Sequence, residues 1–259
     1  MNEPAPARAG APLTDGSAQH PLAGRVALVT GGAQGLGAAI VRTLASAGAH
    51  VVAGDIRVQE VQDRAAALAG EGLAVEGVAL DVADGESVAT AVAGVIERHQ
   101  RCDILVNNAG VDLTVPFADM PIERWQRILD VNLTGAFLAA KSVWPHMQAA
   151  GRGHIINIVS TAAKRAWPNA CAYHASKWGL LGFSHALHTE ARSAGIKVTA
   201  LVSGGLRTPF LMDRFPDIDT TTLQDPENVA ATLRFILLQP EETVIPEILV
   251  LPMRETSWP

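Results

Sequence analysis

From Arg25 onward, short runs of apolar, largely β-branched residues alternate with longer stretches whose apolar positions recur at helical spacing. The short runs are Val26 to Thr30, His50 to Asp55, Ala74 to Asp81, Ile104 to Asn107, His154 to Ser160, Lys197 to Val202 and Ile248 to Leu251. Several are apolar at nearly every position, as strands covered on both faces are. The helical stretches are about Gly35 to Ala47, Val58 to Leu68, Glu86 to His99, Ile122 to Ala149, Tyr173 to Ser193 and Pro226 to Leu238. This alternation predicts an α/β fold, a doubly wound parallel sheet of about seven strands with helices on both faces.

Two interruptions refine the pattern. Pro246 cannot donate a ladder hydrogen bond, so the entry to the last strand is expected at an edge or outside the sheet. Asn132 and Gly135 weaken the long helical stretch before Pro145, and a bend is expected there. The first 21 residues are rich in Ala, Pro and Gly and lack the basic start and apolar core of a signal peptide, so residues 1–21 read as a disordered tail. Residues 22–259 read as a single catalytic domain.

A hydrophobic fraction of 48% is ample for a core, and no apolar run reaches the roughly 20 residues that span a bilayer. The formal net charge is -6, with no cluster of lysines or arginines, which argues against nucleic-acid and membrane partners. Cys102 and Cys171 are too few for a disulfide framework, and no histidine cluster along the chain suggests a metal. A cytoplasmic location is expected.

The first strand runs into Thr30-Gly31-Gly32-Ala33-Gln34-Gly35-Leu36-Gly37, where a helix opens. Glycines allow a tight turn there, and a pyrophosphate can approach the amides and positive end of the helix. The second strand ends at Asp55, beside Ile56, where a carboxylate can accept hydrogen bonds from both ribose hydroxyls of an adenosine and repel a 2'-phosphate. That favours NAD over NADP, although Arg57 can pair with such a phosphate, and Asp55 can also be a helix N-cap. Asp81-Val82 can hold the adenine, with an N-cap role for Asp81 equally open.

Further along stand Asn107-Asn108-Ala109-Gly110, Asn132, Ser160 and Tyr173-His174-Ala175-Ser176-Lys177. With the glycine turn, these motifs in this order resemble the short-chain dehydrogenase/reductase family over nearly all of the chain after the tail. The resemblance implies a Rossmann-type dinucleotide-binding domain. It also implies a hydride transfer between NAD(H) and a small-molecule secondary alcohol or ketone. In that reading Asn132, Ser160, Tyr173 and Lys177 are catalytic. The cofactor meets Gly31, Gln34, Gly35, Leu36, Gly37, Asp55, Ile56, Asp81, Val82, Asn108, Ala109, Gly110, Tyr173, Lys177, Gly204 and Thr208. Tyr173 and Lys177, four residues apart, share a helix face. The Lys177 ammonium is expected to lower the Tyr173 pKa and, by resemblance, to bind the nicotinamide ribose. Ser160 would hold the reacting oxygen, and Asn132 a water linking Lys177 to solvent. The family's Pro-Gly after the sixth strand is Ser203-Gly204 here, which is expected to loosen that loop.

Thr161, Ala162, Trp167 and the segment Leu206 to Leu223 are expected to shape a partly apolar substrate pocket. Whether Arg207 or Arg214 meets an acidic substrate stays open. His174 reads as a mere neighbour and Cys171 as a packing residue. Two other functions remain: an NADPH-dependent ketoreductase resembling the 3-oxoacyl carrier-protein reductases, and a non-catalytic NAD-sensing protein. The resemblance further implies a homotetramer or homodimer formed by the helices starting near Ile122 and Tyr173, and the terminal segment with Trp258 can reach a neighbouring subunit.

Overall fold

The computed structural model describes residues 20–255. Of the expected tail only His20 and Pro21 fall within that range, and the terminal segment with Trp258 lies outside it. The chain enters through a turn that buries Leu22, whose N–H donates to Ala47 O at 2.8 Å.

Seven strands form one parallel sheet: β1 (Val26–Thr30), β2 (His50–Asp55), β3 (Val75–Ala79), β4 (Ile104–Asn107), β5 (Gly153–Ser160), β6 (Ile196–Ser203) and β7 (Glu247–Val250). Their order is β3-β2-β1-β4-β5-β6-β7, every neighbour parallel. The winding therefore reverses between β1 and β4, which opens a crevice at the carboxyl ends of those two strands. Alternate residues serve opposite faces. Ala27 and Val29 of β1 pack with helices α1 (Gly35–Ser46) and α8 (Pro226–Leu237). Val26 and Leu28 pack with α3 (Gly85–His99) and α5 (Gly135–Ala150). The remaining helices are α2 (Val58–Gly70), α4 (Ile122–Leu129), α6 (Cys171–Ala191) and the short α7 (Pro209–Met212). No helix among the described residues is long and apolar enough to cross a membrane.

β7 is an edge strand, as Pro246 requires, and the Pro246 carbonyl still accepts from Ala200 N–H at 2.9 Å. Two expectations need correction, and the irregularity expected at Asn132 and Gly135 takes a definite form. β3 ends at Ala79 because its partner β2 ends at Asp55, so Asp81 lies beyond the strand rather than at its end. The stretch Ile122 to Ala149 is not one regular helix: a π-helical turn, Asp130–Thr134, separates α4 from α5. There Asn132 turns inward, and Gly135 lets the backbone approach Val82, whose Cβ would lie 2.8 Å from any added methyl. The loop after β6 is not loosened by Ser203. That residue stays within β6, opposite Val250, and Gly204 N–H donates to Val250 O at 2.9 Å.

Candidate functional site

The carboxyl ends of the strands surround a cavity of about 740 Å³. At its centre the ends of β1 and β4 are laced together. The Thr30 hydroxyl accepts from the N–H groups of Asn108 and Ala109, each at 3.1 Å, and the Asn108 amide donates to the carbonyls of Thr30 and Gly31, each at 3.0 Å. Gly31 and Gly35 hold positive φ angles of 68° and 55°. A methyl added at Gly37 would fall 1.9 Å from the Gly31 oxygen and 2.6 Å from the Asn108 amide nitrogen. Side chains would therefore fill the space that glycines keep open. The twelve-residue α1 starts there, and the Gln34 side chain does not cap it. Its first N–H groups face the cradle, an arrangement that fits the pyrophosphate of a dinucleotide.

All the predicted cofactor contacts line this one cavity: Gly31, Gln34, Gly35, Leu36, Gly37, Asp55, Ile56, Asp81, Val82, Asn108, Ala109, Gly110, Tyr173, Lys177, Gly204 and Thr208. Asp55 is buried at the tip of β2 and is not a helix cap. Its carboxylate accepts from Ala33 N–H and Arg57 N–H, each at 3.0 Å, which aims it across the crevice. Arg57 lies 3.5 Å from Asp55 and 3.1 Å from Glu60, so its charge is already matched. The N-cap of α3 is Asp84, not Asp81. Asp81 accepts instead from Ala83 N–H at 2.9 Å and pairs with Arg127 at 3.3 Å.

Ser160, Tyr173 and Lys177 share the same wall. Lys177 is buried, its Nζ donating to Ile158 O at 2.9 Å and lying 5.7 Å from the centre of the Tyr173 ring. The expected lowering of the tyrosine pKa is reversed here. Burial pushes the phenol up to about 12, outweighing the hydrogen bond with Ser160 that pulls it down, and Asp112 adds to the rise. Burial likewise pushes Lys177 down to about 8. The charges that act on the phenol here are those of Asp112, which raises it, and Arg214, which lowers it. Asn132 lies behind this wall rather than in it. Its amide nitrogen donates to Val111 O at 2.9 Å and Ser176 Oγ at 3.0 Å, while its oxygen accepts from Val111 N–H at 2.8 Å.

The segment Leu206 to Leu223 covers the cavity as expected, with Phe210, Leu211, Phe215 and Ile218 facing in. Thr161 and Trp167 also line it, and Ala162 is buried beneath. Arg207 turns outward to Leu223 O and Asp225. Arg214 faces the cavity, stacks on Phe210 at 4.1 Å and pairs with Asp112. Burial pushes the Asp112 carboxyl above its usual range, against the pull of Arg214.

Sequence reasoning missed Asp112, Arg165 and His174. Asp112, two residues past Gly110, was the most visible of them, since a charge in a loop at a strand's carboxyl end faces the crevice. Arg165 lines the cavity, and its Nε is buried without a hydrogen-bond partner among the described residues. Of the cavity's arginines, Arg57, Arg127 and Arg214 each meet a carboxylate, whereas among the described residues Arg165 meets none. His174, on α6, holds the loop that carries Arg165. Nε2 accepts from Trp167 N–H at 3.1 Å, so Nδ1 bears the proton and donates to Ala162 O at 2.9 Å. Cys171 does not line the cavity.

A family model described as short chain dehydrogenase matches residues 25–219. A 2-dehydro-3-deoxy-L-rhamnonate dehydrogenase (NAD(+)) from Sphingomonas sp. is 38% identical over 195 residues, 75% of this chain and 76% of that protein. A glycine betaine reductase of Emericella nidulans is 34% identical over 91% of this chain, which spans only 19% of that much longer protein. Among solved structures, a metagenomic short-chain oxidoreductase in complex with NADP superimposes with a TM-score of 0.80 at 34% identity, covering 90% of this chain and 98% of the other.

Proposed function

This chain belongs to the short-chain dehydrogenase family of oxidoreductases, and on that premise we propose that it interconverts a secondary alcohol and its ketone with NAD(H). The observation that carries the reading is the convergence of Ser160, Tyr173 and Lys177 on the wall of the cavity that also holds the glycine cradle. When bound there, the nicotinamide takes up or returns a hydride. In ketone reduction Tyr173 donates its phenolic proton to the carbonyl oxygen, and Ser160 hydrogen-bonds that oxygen as charge develops on it. In alcohol oxidation Tyr173 receives the hydroxyl proton. Lys177 holds the cofactor ribose and supplies positive charge beside the phenol. Since both amide protons of Asn132 already have partners, a relay water would be held by its carbonyl groups. We extend the reading to residues 22–259 as one catalytic unit, located in the cytoplasm. Assembly as a homotetramer or homodimer through α5 and α6 fits the half-exposed Phe137 and Trp178 on those helices.

NAD is the proposed cofactor because the Asp55 carboxylate would lose hydration and gain only repulsion against a 2'-phosphate. Replacing Asp55 with alanine is expected to weaken NAD about 10- to 100-fold, as loss of charged hydrogen bonds does, and to improve NADP. Paired titrations of both cofactors check this. Tighter NADP binding by the unaltered protein would favour the second reading, an NADPH-dependent ketoreductase. Arg57 on the cavity wall and the NADP-bound structural neighbour support that second reading.

Arg165 points to a substrate that carries a carboxylate, because an unmatched guanidinium in a cavity wall is best satisfied by a bidentate anion. The Sphingomonas relative is named for such an acid. Arg165→Met is expected to raise KM about 10- to 100-fold for hydroxy acids and to leave neutral alcohols nearly unchanged. Equal losses for acids and neutral alcohols would contradict it.

A further inference from the structure

At the end of the sheet opposite the cavity, three side chains that are far apart in sequence converge. His50 is the first residue of β2, Glu76 the second residue of β3, and His99 the last residue of α3. The register Val52↔Glu76 places His50 and Glu76 on the face where Val52 meets α3. Because a crossover helix runs back antiparallel to its strands, the final turn of α3 arrives at their amino ends, bringing His99 against both. His50 Nε2 lies 2.6 Å and His99 Nε2 2.9 Å from the same oxygen, Glu76 Oε1. The two rings lie 4.1 Å apart, and the three donor atoms fall within 4.8 Å of one another.

The second contact is not an ordinary hydrogen bond. His99 Nε2 is buried and, despite its proximity to Oε1, has no hydrogen-bond partner among the described residues. With the His99 proton on Nδ1, the Nε2 lone pair faces a carboxylate oxygen, which is repulsive unless a cation stands between them. Arg98 does not fill that place, since its Nε engages the other oxygen, Oε2, at 2.9 Å. Arg98 thereby leaves Oε1 directed at the two imidazoles.

We propose that His50, Glu76 and His99 bind a divalent transition-metal ion of the Zn²⁺ class, with water completing a four-coordinate site. Two imidazoles and one carboxylate suit Zn²⁺, whereas Mg²⁺ and Ca²⁺ select oxygen ligands. Metal–ligand bonds of about 2.0–2.2 Å need donors somewhat farther apart than 2.6 and 2.9 Å, an opening that these partly exposed side chains can make. The bound ion would tie β2, β3 and α3 together at the thin edge of the sheet, far from the dinucleotide crevice.

The test uses the untagged full chain, stripped with a chelator and titrated with Zn²⁺ by calorimetry, with melting followed in parallel. The site predicts one ion per chain and a rise in Tm of about 5–10 °C at a hundredfold excess over Kd. His50→Gln and His99→Gln should each weaken binding at least tenfold, as should Glu76→Gln. Folding of each variant is verified by oxidoreductase activity, which this distant site should leave unchanged. Cys171→Ser, which removes the more accessible thiol, should bind Zn²⁺ normally. The proposal is overturned by any of three results: no Zn²⁺ binding, undiminished binding in both histidine variants, or an equal Tm rise with Mg²⁺ or Ca²⁺.

Discussion

Tyr173→Phe is expected to lower kcat by roughly 10²- to 10⁴-fold, the usual contribution of a positioned acid/base, while dinucleotide affinity stays within a few-fold of the parent. The substitution removes one oxygen and keeps the ring. The ring packs against Phe210 at a centroid distance of 5.9 Å, and the residue is buried, so the wall should hold its shape. The phenol's pKa of about 12 sharpens this expectation. A phenol so reluctant to ionise is a weaker acid but stays protonated at neutral pH, and a developing alkoxide is more basic still, so it can donate as reduction asks. Oxidation asks for the phenolate, and a rise in rate with pH follows for that direction. Rate constants measured in both directions across pH, with cofactor titrations of the same variant, check the prediction. A parallel loss of cofactor binding would mean that Tyr173 acts by shaping the cavity rather than by moving a proton.

Gly37→Ala is expected to abolish useful dinucleotide binding, with affinity falling about 100-fold or more. The added methyl would meet the Gly31 carbonyl oxygen at 1.9 Å and the Asn108 amide at 2.6 Å, and neither can retreat freely. Gly31 sits at φ 68°, and Asn108 ties the ends of β1 and β4 together. The turn itself must therefore shift, at an overpacking cost of about 1–3 kcal/mol. Gly70→Ala is the control. It lies at the end of α2, and an added methyl there meets nothing within 4 Å, so stability should rise by up to about 1 kcal/mol. Thermal melts and cofactor titrations of both variants separate a local clash in the cradle from general sensitivity to alanine.

The sheet was legible because several of its strands are apolar on both faces. β1, β2 and β4 have the bounds the apolar runs predict, and the glycine turn follows β1 directly. The residues lining the dinucleotide cavity were legible for a related reason. In a doubly wound sheet each strand's carboxyl end opens into one crevice, so position in the chain specifies position in the site. What depends on pairing across the fold was not legible. Arg214 meets Asp112 102 residues away, and Arg127 meets Asp81 46 residues away; nothing local marks either pair. Asn132 reads as a defect in a helix because its partners, Val111 and Ser176, come from a loop and another helix. His174 gains its loop-holding role only when α6 packs beneath Ala162 and Trp167. The sign of the Tyr173 shift was not legible because spacing along a helix conveys the nearness of Lys177 but neither the burial that raises the phenol nor the approach of Asp112 from another loop.

The most direct test of the central claim is NADH formation by the purified protein across a panel of secondary alcohols and hydroxy acids, with NADP run alongside NAD. The account predicts turnover with NAD on at least one member, lost in Tyr173→Phe while the dinucleotide still binds. Tight dinucleotide binding with no turnover in either direction, on any alcohol or ketone, would contradict it and leave a binding protein on an oxidoreductase scaffold.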